Sequence, residues 1–144
     1  AEMAAGGQFV TLLLAAALMV AHAMPGGQRR PVMVGAPQKI ADAGNDEGLQ
    51  RALHFAVAKY NEGSNDVYSS RVMRIINAER QIVAGVKYII EVEIGRTTCT
   101  KPAADLQDCA FYDAPQMAQH TICKFVVYTI PWQNETKLLE SKCQ

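Results

Sequence analysis

The stretch Val86-Lys87-Tyr88-Ile89-Ile90-Glu91-Val92-Glu93-Ile94 decides the fold class. Val86, Tyr88, Ile90, Val92 and Ile94 take alternate positions, with Lys87, Ile89, Glu91 and Glu93 between them. A period of two sends successive side chains to opposite faces, so the segment reads as a strand with one face for a core and the other mostly for water. Upstream, Tyr68 to Ala78 reads as a second strand, and Gln81-Ile82-Val83-Ala84-Gly85 is short enough to be the tip of a hairpin joining the two. Downstream, His120 to Ile130 alternates again, with Cys123, Phe125 and Val127 on one side and Ile122, Val126, Tyr128 and Ile130 on the other. A turn at Pro131-Trp132-Gln133-Asn134 then leads to a final strand from Thr136 to Cys143. Between the last two hairpins, Thr100 to Ala118 holds Pro102, Asp105, Asp108, Asp113 and Pro115 and reads as a loop-like insert.

Ahead of the sheet the period is that of a helix. Leu49, Ala52, Leu53, Ala56 and Tyr60 recur at helical spacing, Asn45 or Asp46 can cap the start, and Gly63 stops it. Gln50, Arg51, His54 and Glu62 fall on the opposite, solvated face. The expected architecture is α+β: one long helix packed across an antiparallel sheet of four to five strands, in a domain spanning residues 45–144.

The chain has 144 residues with 14 basic and 14 acidic side chains, a formal net charge of +0. That balance lacks the positive footprint that binding to a phosphate backbone needs, so nucleic acid is not an expected partner. The longest apolar run, Phe9 to Ala21, is interrupted only by Thr11 and is shorter than the roughly 18 residues of a membrane span. It is followed by Ala21-His22-Ala23, a small-x-small pattern, and reads as a secretory signal peptide over residues 1–23. Residues 24–44, rich in Gly, Pro, Gln and Arg without a sustained period, read as a flexible arm. Cys99, Cys109, Cys123 and Cys143 are an even set, which in a secreted chain means disulfides. Four cysteines allow three pairings and their spacing does not choose among them, although Cys99 with Cys109 would close a short loop. Zinc would require C-x-x-C pairs or histidines at ligand spacing, and neither occurs here.

Motifs for chemistry are missing. There is no phosphate-cradling glycine loop, no HExxH and no GxSxG. Glu91 and Glu93 share a strand face, but a solvated face explains them better than an acid–base pair, which needs a pocket to separate its pKa values. With every cysteine expected in a bridge, a thiol nucleophile is excluded too. Neither an enzyme nor a cofactor protein is expected.

Three short segments are instead too apolar for their positions. The end of the arm (Met33-Val34-Gly35-Ala36), the hairpin tip Gln81 to Gly85 and the turn Pro131-Trp132 all sit where polar turn formers are usual, and exposed Ile82, Val83 and Trp132 ask for a partner that desolvates them. Gln81-Ile82-Val83-Ala84-Gly85 matches the Gln-x-Val-x-Gly signature of the cystatins, with Gly35 in the arm and Pro131-Trp132 in the late turn at about the spacing of that family. From about Gly35 to Gln144 the chain resembles secreted type 2 cystatins, including the segments Asn45 to Leu53, Gly95 to Cys99 and Lys137 to Gln144. The resemblance implies disulfides Cys99–Cys109 and Cys123–Cys143 and reversible inhibition of papain-like cysteine proteases, the cathepsins among them. In such an inhibitor Met33 and Val34 would fill non-primed substrate pockets, and Gly35 would turn the chain away from the attacking thiolate. Gln81 would offer amide hydrogen bonds at the rim, Ile82, Val83 and Ala84 apolar contact, Gly85 close backbone approach, and Trp132, held by Pro131, a rigid anchor. Relatives of the non-inhibitory cathelicidin and fetuin type are the alternative, and they typically lack this full set.

Three smaller expectations complete the reading. Ser64-Asn65-Asp66, after the helix, resembles the segment with which some type 2 cystatins inhibit legumain, with Asn65 substrate-like; an ordinary Asn-Asp turn is the competing reading. Asn134-Glu135-Thr136 is a complete glycosylation sequon beside Trp132. If the tip is strained at Val83, opening it would let a monomer exchange its helix and first strands with a second chain, giving a domain-swapped dimer.

Overall fold

Helix α1, Glu47–Gly63, forms where the sequence supplies both a cap and an apolar stripe. The Asp46 carboxylate accepts the Leu49 amide at 2.9 Å, satisfying one of the donors that a helix start leaves unpaired. Leu49, Ala52, Leu53, Ala56 and Val57 are buried on one face, while Arg51, His54 and Glu62 are exposed on the other. The computed structural model describes residues 35–144. The signal peptide and the arm up to residue 34, and with them Met33 and Val34, lie outside the described residues.

Five strands form one antiparallel sheet in the order β1-β2-β3-β4-β5: Gln38–Lys39, Tyr68–Val83, Gly85–Thr100, Thr121–Ile130 and Glu135–Cys143. Strand β1 comes from the segment read as arm. Gln38 and Lys39 pair with Arg80 and Glu79 of β2, so the chain is tied to the sheet edge well before Gly44. A two-residue strand shows no period, and only pairing to an existing edge makes it. The other difference lies at the first hairpin. β2 continues through the polar run Glu79-Arg80-Gln81 as far as Val83, and β3 starts at Gly85, leaving Ala84 alone as the turn.

The helix-facing side of the sheet carries the alternate set Tyr88, Ile90, Val92 and Ile94 of β3 and Cys123, Phe125 and Val127 of β4, all buried against α1. The outer side carries charge: Lys124 and Lys142 flank Glu140 at 3.6 and 3.0 Å, and Glu93 meets Arg74 at 2.8 Å. Glu93 is thus part of a solvated ion-pair face together with exposed Glu91. Two disulfides staple the sheet's far end, Cys99–Cys109 across the insert and Cys123–Cys143 between β4 and β5. The insert itself contains a 3-10 turn, Leu106–Asp108, and a short helix α2, Pro115–Ala118.

The start of α1 is also pinned to the sheet, because the Arg80 guanidinium of β2 pairs with the capping carboxylate of Asp46. The Leu49 amide first, and then Arg80, hold the Asp46 carboxyl below its ordinary pKa. A depressed carboxyl pKa gives stability that is present above the unfolded-state pKa and lost as pH falls through the folded one. Asp46→Ala should therefore cost about 1–2 kcal/mol near pH 6 in thermal melts. That deficit should shrink as the pH is taken below the ordinary value of 3.8. A deficit independent of pH would show that the carboxylate is not the group responsible.

Candidate functional site

Strand register brings three chain segments to one end of the sheet. Val83 pairs with Gly85 across the first turn, Val86 with Thr129, and Ile130 with Glu135 across the second, so both turns project from the same edge. Gly35 joins them: its amide donates to the Ile82 carbonyl at 3.0 Å, and its carbonyl accepts from the Gln81 side-chain amide at 2.9 Å. The Gln81 amide, expected at a partner's rim, is in this structure spent on holding the arm against β2.

The second turn is a 3-10 turn, Pro131–Gln133, closed by Asn134 in the left-handed region with its amide donating to the Pro131 carbonyl at 3.1 Å. Pro131 fits the first position of such a turn, where its missing N–H has no partner to lose. Trp132 is 70% exposed and Ile82 55%, large apolar surfaces left in water at the same end of the sheet. Ala84 is exposed and Val83 half-buried.

Gly85 has a φ of +129° and is the tip's only position in the range that disfavours side chains. A Cβ there would stand 2.7 Å from the Thr129 carbonyl oxygen and 3.1 Å from the Tyr128 ring and hydroxyl. Val83 does not take a positive φ: such values among the described residues fall at Gly85, Gln119 and Asn134. Glycine meets the backbone demand without cost, two residues further on. Gly85→Ala should push the two hairpins apart and lower stability by about 1–3 kcal/mol in chemical denaturation. An unchanged midpoint would mean that β4 yields freely. The Tyr128 hydroxyl, which sequence reasoning did not single out, donates to the Ala84 carbonyl and braces the turn from the neighbouring strand. Its only signal was its place on the outer side of an alternating segment.

A family profile described as a cystatin domain matches residues 35–132, more than half of the chain. Cystatin of Gallus gallus is 59% identical over 140 residues, covering 97% of this chain and 99% of that protein. The chain belongs to the cystatin family. Cystatins are protease inhibitors and not enzymes. Cystatin-C of Mus musculus is 47% identical to this cystatin over 133 residues, 92% of this chain and 93% of that one. Among solved structures, dimeric human cystatin F superposes with a TM-score of 0.71 at 34% identity, covering 85% of this chain and 96% of that one.

The remaining singled-out residues of this cystatin lie apart from the edge. Ser64, Asn65 and Asp66 follow α1 at the opposite end of the sheet, where β2 begins. The Ser64 hydroxyl accepts the Asp66 amide at 3.0 Å, and the Asp66 carboxylate accepts the Tyr68 amide at 3.0 Å and Arg96 Nε at 2.7 Å. Burial alone would raise the Asp66 pKa, but the Tyr68 amide and Arg96 outweigh it and hold the carboxyl low. Asp66 is therefore committed to the fold, and Asn65 between them is exposed. Both disulfides pair as the resemblance implied. Among the described residues no helix is long and apolar enough to cross a membrane.

Proposed function

We propose that this cystatin is a secreted, reversible inhibitor of papain-like cysteine proteases, cathepsins included, acting through the edge formed by Met33–Gly35, Gln81–Gly85 and Pro131–Trp132. The observation that carries the reading is the shared edge with Ile82 and Trp132 both uncovered. A protease cleft that buried about 800 Å² of this edge would gain the hydrophobic free energy that both side chains forgo in water. Nothing has to react. The Gln81–Gly35 hydrogen bond supports the role of Gly35, since it holds that residue against β2 at the same edge. Titrating papain with the purified chain should give one-to-one inhibition that reverses on dilution, with the inhibitor recovered uncleaved. No inhibition at micromolar concentration would defeat the reading.

A second surface is supported by Asn65, exposed at the far end of the sheet and fixed between two anchored neighbours, as a substrate-like residue for legumain. Asn65→Ala should abolish legumain inhibition and leave papain inhibition intact; joint loss of both would contradict two separate surfaces. Dimerisation has its own support. With Ala84 the sole residue between β2 and β3, opening that turn would merge them into one long strand able to pair with a second copy. Mild heating followed by size exclusion should yield a dimer without papain inhibition, and a fully active dimer would rule the exchange out.

A further inference from the structure

The sequon at the second turn has a use that the inhibitory edge does not absorb. Asn134 is exposed, adopts φ 51° and ψ 44°, and makes no side-chain hydrogen bond within the turn. It lies on the rim of a groove of 360 Å³ between α1 and the second hairpin, lined among others by Arg51, Phe55, Val86 and Pro131. Its lining combines the Phe55 side chain and the Arg51 guanidinium with the apolar Val86 and Pro131. Thr136, which completes the sequon, borders the same groove and is exposed.

We infer that Asn134 carries an N-linked glycan on the turn that bears Trp132, and that the glycan slows capture of the protease by the inhibitory edge. This rests on the inhibitory reading above. Glycosylation forms a bond between Asn134 Nδ2 and the anomeric carbon of an oligosaccharide carried on a polyprenyl diphosphate. The bond from that carbon to the diphosphate oxygen breaks, the lipid diphosphate leaves, and one amide proton passes to a base of the transferase. The two disulfides place the chain in the kind of oxidising compartment in which that donor is found. Only Gln133 separates Trp132 from Asn134, which caps the same 3-10 turn, so a glycan on Asn134 springs from the turn that carries the anchor. A bulky hydrophilic chain there restricts the orientations from which a cleft can approach, an effect on association more than on dissociation.

The test compares the chain secreted from a eukaryotic host with its Thr136→Val and Asn134→Gly variants. Valine suits a strand position, and glycine accepts the left-handed backbone, so each removes the sequon by a different route. Intact mass should show a glycan on the parent that peptide N-glycosidase removes, and none on either variant. Association with papain, followed by stopped flow, should be about tenfold slower for the glycosylated parent than for either variant, a difference of about 1.4 kcal/mol in the encounter barrier. An unmodified parent overturns the inference, and so does a glycosylated parent that associates as fast as both variants. If the unglycosylated variants fail to inhibit papain at all, the inhibitory reading falls and the kinetic half of this inference with it, while the mass still decides whether Asn134 is modified.

Discussion

Phe125→Ala is expected to be the most damaging single substitution to the fold, costing about 3–5 kcal/mol. Phe125 is the largest fully buried side chain among the described residues, on the helix-facing side of β4 with Ile90 opposite it on β3. Truncation removes the transfer free energy of the ring and leaves a cavity between sheet and helix. The neighbours are poorly placed to fill it, because Ile90 and Val127 are held by strand pairing and Leu49 by the capped first turns of α1. For a domain of this size the melting temperature should fall by roughly 10–20 °C. A loss under about 1 kcal/mol would mean that helix and sheet can close over the gap, contrary to the packing described.

Trp132→Ala should have the opposite signature. With 70% of the residue in water the fold gains little from it, so stability should stay within about 0.5 kcal/mol of the parent. Papain affinity, by contrast, should fall by about 30-fold or more, the 2 kcal/mol or greater loss typical of a buried aromatic anchor. The loss should sit mainly in the dissociation rate, since the edge presents the same shape and charge on approach. Denaturation and inhibition measured on the same preparation separate the two residues: one is needed to fold, the other to bind. Retained affinity in a stably folded Trp132→Ala would leave the exposed tryptophan without a function in this account.

The contrast follows how much of the molecule was legible in its sequence. β3 declared itself because each of its residues belongs to one face only, Tyr88, Ile90, Val92 and Ile94 inward and the charged set outward. β2 was readable only in part. Three register shifts, between Tyr68 and Ser70, Val72 and Arg74, and Ile75 and Asn77, break its alternation, and its last turn-like residues, Glu79 to Gln81, are polar yet paired. Arg80 has a polar destination inside the fold, the Asp46 cap, which composition alone cannot reveal. The same holds for Gly48 in the first turn of α1. A Cβ there would collide with the Tyr88 hydroxyl, a demand set by a residue forty positions away in the chain. At the candidate site, Gly85 was read for the close backbone approach that glycine allows and Gln81 for hydrogen bonds at a partner's rim. Gly85 takes a positive φ, and the Gln81 amide holds Gly35.

Hydrogen exchange of the chain, free and saturated with papain, tests the central claim most directly. The prediction is protection concentrated in Ile82 to Gly85 and Pro131 to Gln133, with Ser64 to Asp66 and the insert around Leu106 exchanging as in the free chain. Protection centred on the far end of the sheet, with the two turns unaffected, would contradict the claim that the uncovered edge is what enters the protease.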